Sequence, residues 1–150
     1  MTDLILAIAH HLSVFTLTGL LVAEVALLRP DLSPGHIRQL GAIDAAYGAV
    51  AGLVIVVGIL RVIFGAAGPD YYIHNWAFWL KMAAFLAVGL LSIPPTLAIL
   101  GWRRKLAADP AFSPDPATIG GLRRFYIAEL IAFALIPVFA AAMARGYGII

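Results

Sequence analysis

Four long apolar stretches follow one another along the chain with only short polar breaks between them. The first covers residues 4–28 and stops at Arg29-Pro30. The second covers 43–64 and runs into Gly65-Ala66-Ala67-Gly68-Pro69, a turn by composition. The third covers 73–100, with Trp76 and Trp79 near its start, Pro94-Pro95 near its end and Trp102 just beyond, as at a membrane–water boundary. The fourth covers 125–144. A membrane-spanning helix needs roughly 20 mostly apolar residues, and each stretch is of that order. They are apolar on all sides, whereas the strands of a membrane barrel alternate over about ten residues. Helices satisfy their own backbone hydrogen bonds, which lipid cannot do. The pattern predicts an all-α protein, a four-helix transmembrane bundle forming one integral membrane domain over 1–150. The longest connection, 101–121, holds prolines, glycines and polar residues and reads as an exposed loop.

Composition agrees. The chain has 150 residues, 63% hydrophobic and 12% charged, against roughly half and a quarter in a soluble domain. So little polar surface cannot be solvated by water, so lipid is the natural solvent and membrane lipid the first partner. There is no cysteine, which removes disulfides, thiolate metal sites, iron–sulfur clusters and c-type heme attachment. The three methionines are scattered, so no methionine-rich copper path is present. Met1-Thr2-Asp3 lacks a positive n-region, and the first apolar run exceeds a signal-peptide core, so it reads as a retained helix.

Charge sets an orientation. The first and third connections hold Arg29, Arg38, Arg103, Arg104, Lys105, Arg123 and Arg124, whereas the opposite side has only Arg61 and Arg145 near helix ends. The positive-inside bias places the basic loops in the cytoplasm and both termini outside.

Ionisable groups inside a spanning helix are costly and are functional candidates by default. His10 and His11 lie about two turns into the first helix from the outer face, and Lys81 lies at a similar depth in the third. His74 and Asn75 begin that third helix, while Arg61 and Arg145 end the second and fourth on the same side. At 100° per residue, Asp3, His10, Leu17 and Glu24 share one stripe beside Ser13, and His11 turns away from it. His74, Lys81, Val88 and Ser92 share a face of the third helix, with Phe78 and Phe85 flanking Lys81. Taken singly, these groups could be interhelical hydrogen bonds, a snorkelling lysine and interface anchors. Taken together, they resemble a ligand pocket.

Zinc wants three or four converging ligands, and adjacent histidines do not converge easily. Heme wants one or two axial ligands, an apolar slot, and cations for its propionates. The outer set fits that best: iron between the first and third helices, a ligand from His10 or His11 with Lys81 or His74 across the pocket, and propionates toward Arg61 or Arg145. The other half of the bundle carries Glu24, Asp44, Tyr47 and Glu129 with Arg38 and Arg124 in reach. The ordinary reading there is helix-end carboxylates paired with loop arginines. Gly48 and Gly52, with Ala45 and Ala49 beside them, make a small-xxx-small face that reads as close helix packing and leaves a homo-oligomer open. Pro137 predicts a kink in the fourth helix. There is no phosphate loop, nucleophile elbow or nucleic-acid signature.

The segments Ala9-His10-His11-Leu12 through Glu24, Asp44-Ala45-Ala46-Tyr47-Gly48, Gly58-Ile59-Leu60-Arg61-Val62, and Phe78-Trp79-Leu80-Lys81 through Pro94-Pro95-Thr96 resemble the DUF2214 family of bacterial four-helix membrane proteins. That resemblance implies the fold and a bacterial inner-membrane location, but no particular activity. More distantly, the chain is similar to HemJ-type protoporphyrinogen oxidases and CopD-like copper-resistance proteins, which carry a first-helix histidine and a Trp-x-x-x-Lys-like pattern in the third. The HemJ-type likeness implies heme b held by His10 or His11 and Lys81, an oxidoreductase role, and a quinone or porphyrin as small-molecule partner. The CopD-like likeness implies metal transport or handling instead. A non-catalytic membrane subunit is the third reading.

Overall fold

The computed structural model describes residues 1–149. Four long helices cross the molecule: α1 (Thr2–Leu27), α2 (Pro34–Phe64), α4 (Trp76–Ala108) and α5 (Pro116–Ala144), with a single-turn helix, α3 (Gly68–Ile73), between α2 and α4. All four are long and apolar enough to cross a membrane. At 1.5 Å per residue they measure roughly 39–50 Å, against about 30 Å of hydrocarbon. Turns beyond the span therefore project, and α2, α4 and α5 carry arginines there.

The second, third and fourth helices thus run past the predicted spans at the end opposite the termini, while the first ends where expected. α2 begins nine residues earlier than the hydropathy pattern indicates because Ser33 caps it, its hydroxyl accepting from the His36 amide at 3.3 Å, and Pro34 pre-sets its first turn. Asp115 and Pro116 do the same for α5, Asp115 accepting from the Ala117 amide at 3.2 Å. The predicted exposed loop over 101–121 is mostly helix, and non-helical backbone is confined to residues 109–115. Trp102, Leu106 and Ile119 from that region are buried, as is Leu122 just beyond it. They form amphipathic extensions, too polar on the outer face to register as apolar spans. Trp102 accordingly packs into the core, unlike the exposed Trp76 and Trp79.

The third span also differs. It breaks at His74-Asn75, and the Asn75 side chain caps α4 by accepting from the Ala77 and Phe78 amides at 2.9 and 3.3 Å. The same residue fastens the C-terminal tail: its Nδ2 donates to the Tyr147 carbonyl at 3.3 Å, and the Trp76 amide donates to the Gly148 carbonyl at 2.9 Å. Gly148 has a φ of 97°, which admits glycine readily.

The helices pack as two antiparallel hairpins, α1 with α2 and α4 with α5, joined chiefly between α2 and α4, while α1 only brushes α5. Both termini lie at one end. A continuous apolar core runs through Leu17, Leu21, Leu40, Val54, Ile99 and Tyr126. The outer surface is apolar too, with Phe15, Leu86, Leu97 and Ile131 exposed as lipid would require. The small-residue face of α2 does not serve packing within the chain. Gly48 and Gly52 are exposed, and a Cβ at either would meet nothing within 4 Å.

Candidate functional site

At the termini end, a cavity of about 880 Å³ opens among all four long helices and α3, near the upper end of the roughly 300–1,000 Å³ usual for ligand pockets. Its walls are mostly aliphatic and aromatic: Val54 and Ile59 from α2, Phe78 and Phe85 from α4, Phe133 and Ile136 from α5. Tyr71 and Tyr72 reach it from α3, and the Tyr71 hydroxyl donates to the Met143 carbonyl of α5 at 2.6 Å, tying the short helix across the end of the bundle.

Apart from the two tyrosines, the polar groups on these walls are few and basic. His10, His11, Arg61 and Lys81 line the cavity, and among the described residues no carboxylate does. His10 follows from its stripe: Leu17 and Glu24 below it are buried, and Asp3 above it accepts the Ala66 amide at 3.0 Å. The imidazole lies against Gly58 of α2, where a Cβ would stand 3.5 Å from Cε1. Its Nδ1 is buried without a hydrogen-bond partner, as is Nε of Arg61. Lys81 Nζ rests 5.3 Å from the centroid of the Phe78 ring, at cation–π range. His11 sits exposed at the rim, its Nδ1 donating to the Ala7 carbonyl of its own helix at 2.7 Å.

The structure therefore gathers His10, His11, Arg61 and Lys81. It does not bring in His74 or Arg145. His74 is exposed just after α3, its Nδ1 3.1 Å from the Asp70 carbonyl and 3.4 Å from the Asp70 carboxylate. Arg145 is exposed at the C-terminus of α5 and does not line the cavity. Among the described residues, no three of His, Cys, Asp and Glu converge to hold a metal ion.

An orphaned buried imidazole nitrogen and two cations without carboxylate partners, set in apolar walls, are the donor set for a large, mostly apolar ligand with an acidic edge. Heme fits that description, since it takes one axial nitrogen, an apolar slot and cations for its propionates.

A second polar cluster lies deeper. Glu24, Asp44 and Glu129 are buried within charge–charge range of one another. The arginine pairing expected for them is absent: among the described residues the only carboxylate–cation contact is His74–Asp70, and Arg38 and Arg124 are exposed. Hydroxyls serve instead. Tyr47 donates to Glu129 at 2.6 Å, and Thr96 donates to Asp44 at 2.6 Å. Sequence reasoning missed Tyr126 and Thr96 here, and Tyr71 and Tyr72 in the cavity. A signal existed for Tyr126, which precedes Glu129 by three residues just as Asp44 precedes Tyr47, the spacing that puts both on one helix face.

The profile of predicted membrane proteins designated DUF2214 matches residues 2–148. The chain belongs to the DUF2214 family. No curated protein and no solved structure matches it. Within the family assignment the chain is a predicted membrane protein, and anything finer rests on its own residues.

Proposed function

We propose that this member of the DUF2214 family is a heme b-binding protein of the bacterial inner membrane with a redox or porphyrin-related role. One observation carries the reading: an apolar cavity of about 880 Å³ whose polar groups, besides two tyrosines, are cations and imidazoles with no carboxylate among the described residues, including a buried Nδ1 with no partner there. Burying such groups unpaired is costly, and an anionic, flat, apolar ligand with an open axial position would satisfy them together.

In this reading His10 would hold the heme through its imidazole. Gly58 lets α2 come close to the ring, whose Cε1 and Nδ1 lie toward it. Arg61 and Lys81 act as counter-charges for the propionates. His11, bonded to its own helix, stays at the rim. Phe78, Phe85 and Phe133 exclude water. When bound, heme would supply one-electron transfer, with a quinone or a porphyrin as the small-molecule partner. The positive-inside bias puts the cavity at the outer face, with both termini outside. The metal-handling reading lacks a comparable donor set, because no three metal-ligating side chains converge among the described residues.

The test is the visible spectrum of protein purified in detergent from cells with ample heme. A Soret band with reduced α and β bands of the b type is the expected result. A colourless preparation that takes up no added hemin rejects the reading.

A further inference from the structure

The acidic cluster is independent of the heme reading. Glu24 of α1, Asp44 of α2 and Glu129 of α5 are 2%, 7% and 0% exposed. Counted at 1.5 Å per residue, Asp44 and Glu129 lie roughly 8–9 Å inward from Arg38 and Arg124 on their own helices. The polar side chains that meet the cluster among the described residues are hydroxyls: Tyr47 on α2, Thr96 on α4, Tyr126 on α5. Arg103 of α4 lies against Gly41, a turn before Asp44, yet makes no ion pair with it.

Three carboxylates cannot all stay charged at this depth without cations, since desolvation and mutual repulsion act in the same direction. The structure offers two hydroxyl donors, and each neutralises nothing. A further observation points to a missing partner. The Tyr126 hydroxyl, on a residue 1% exposed, is buried facing Glu24 but makes no hydrogen bond of good geometry among the described residues. Glu24 Oε1 and Glu129 Oε2 are likewise buried and unpaired. These are unused acceptors with an unused hydroxyl among them, a set that protons complete without any change of shape. A bound metal ion is the poorer occupant, because the carboxylates do not converge in metal-ligating geometry.

We infer that Glu24, Asp44 and Glu129, with Tyr47, Tyr126 and Thr96, form an intramembrane proton-binding site that holds at least one proton at neutral pH. A proton enters as an O–H bond of hydronium breaks, releasing water, and a carboxylate oxygen forms the new O–H bond, which then donates to a neighbouring carboxylate. No redox partner is needed. Glu24 stands fourteen residues from His10 on α1, and Asp44 fourteen from Gly58 on α2, so about 21 Å separates this site from the cavity on both helices.

Infrared spectroscopy of the full chain in lipid nanodiscs tests this, with or without heme. A carboxylic-acid carbonyl band is expected at neutral pH. The other five acidic residues are not buried, so the band should come from the cluster. It should shift on exchange into heavy water and be lost in the Glu24→Gln, Asp44→Asn, Glu129→Gln triple variant. Each single variant should shift or weaken it, which keeps the test open if the triple variant does not fold. Absence of the band in the wild type overturns the inference, as does a band unchanged in all single variants. So does a band abolished by added sodium, since the ligand would then be a cation.

Discussion

The Tyr47 hydroxyl donates a 2.6 Å hydrogen bond to Glu129, joining α2 to α5 across the middle of the bundle. Both residues are buried, and the second oxygen of Glu129 has no partner. Interhelical hydrogen bonds in bilayers average only about 0.6 kcal/mol. Tyr47→Phe should cost more, about 1–2 kcal/mol, because it leaves the whole carboxyl group without a donor. Glu129→Gln keeps an acceptor for Tyr47 and should cost less. Unfolding by steric trapping or denaturing detergent would order the two; equal losses would mean the bond contributes nothing of its own.

Replacing His10 by alanine should lower heme occupancy at least about tenfold, the consequence of losing any contact worth 1.4 kcal/mol or more. His11→Ala should retain most of it, because that ring sits at the rim and bonds to Ala7. The ratio of Soret to protein absorbance measures both. Full occupancy in His10→Ala would remove His10 from the site.

Lys81 stands over the Phe78 ring as a cation would. If it neutralises a propionate, Lys81→Met and Arg61→Gln should each lower the reduction potential without changing spin state, because loss of a nearby positive charge favours the ferric form. A changed spin state in Lys81→Met would instead make Lys81 an iron ligand. Potentiometric titration followed by visible and electron paramagnetic resonance spectra separates the outcomes.

Topology follows from the arginine and lysine asymmetry. Alkaline phosphatase fused after the C-terminus should be active, since it folds only outside the cytoplasm. A cytoplasm-specific fluorescent reporter at the same position should stay dark. The reverse pattern would place the cavity on the cytoplasmic side.

The sequence by itself determined the bundle. Sustained apolar runs have one stable form in lipid, and their number gives the number of spans. It also determined the phase of α1: the seven-residue spacing of Asp3, His10, Leu17 and Glu24 is a property of the helix alone, and His10 and Glu24 do turn inward. His11 could be set aside from that stripe for the same reason.

What only the tertiary structure decided is everything that depends on a neighbouring helix. The amphipathic ends of α2, α4 and α5 lie beyond the apolar runs, and their burial depends on partners such as Ile37, Trp102 and Ile119. His74 and Arg145 have the right residue types and the right depth, yet the break at Asn75 and the end of α5 leave them exposed. The carboxylates show the limit most clearly. In the sequence Glu24, Asp44 and Glu129 each lie close to an arginine, and proximity along a helix predicted ion pairs. In three dimensions the arginines point to the surface while the carboxylates turn inward, because residues five or six apart on a helix occupy different faces. Spacing along the chain fixes which way a side chain points; which groups it then meets is set by the packing of the other three helices.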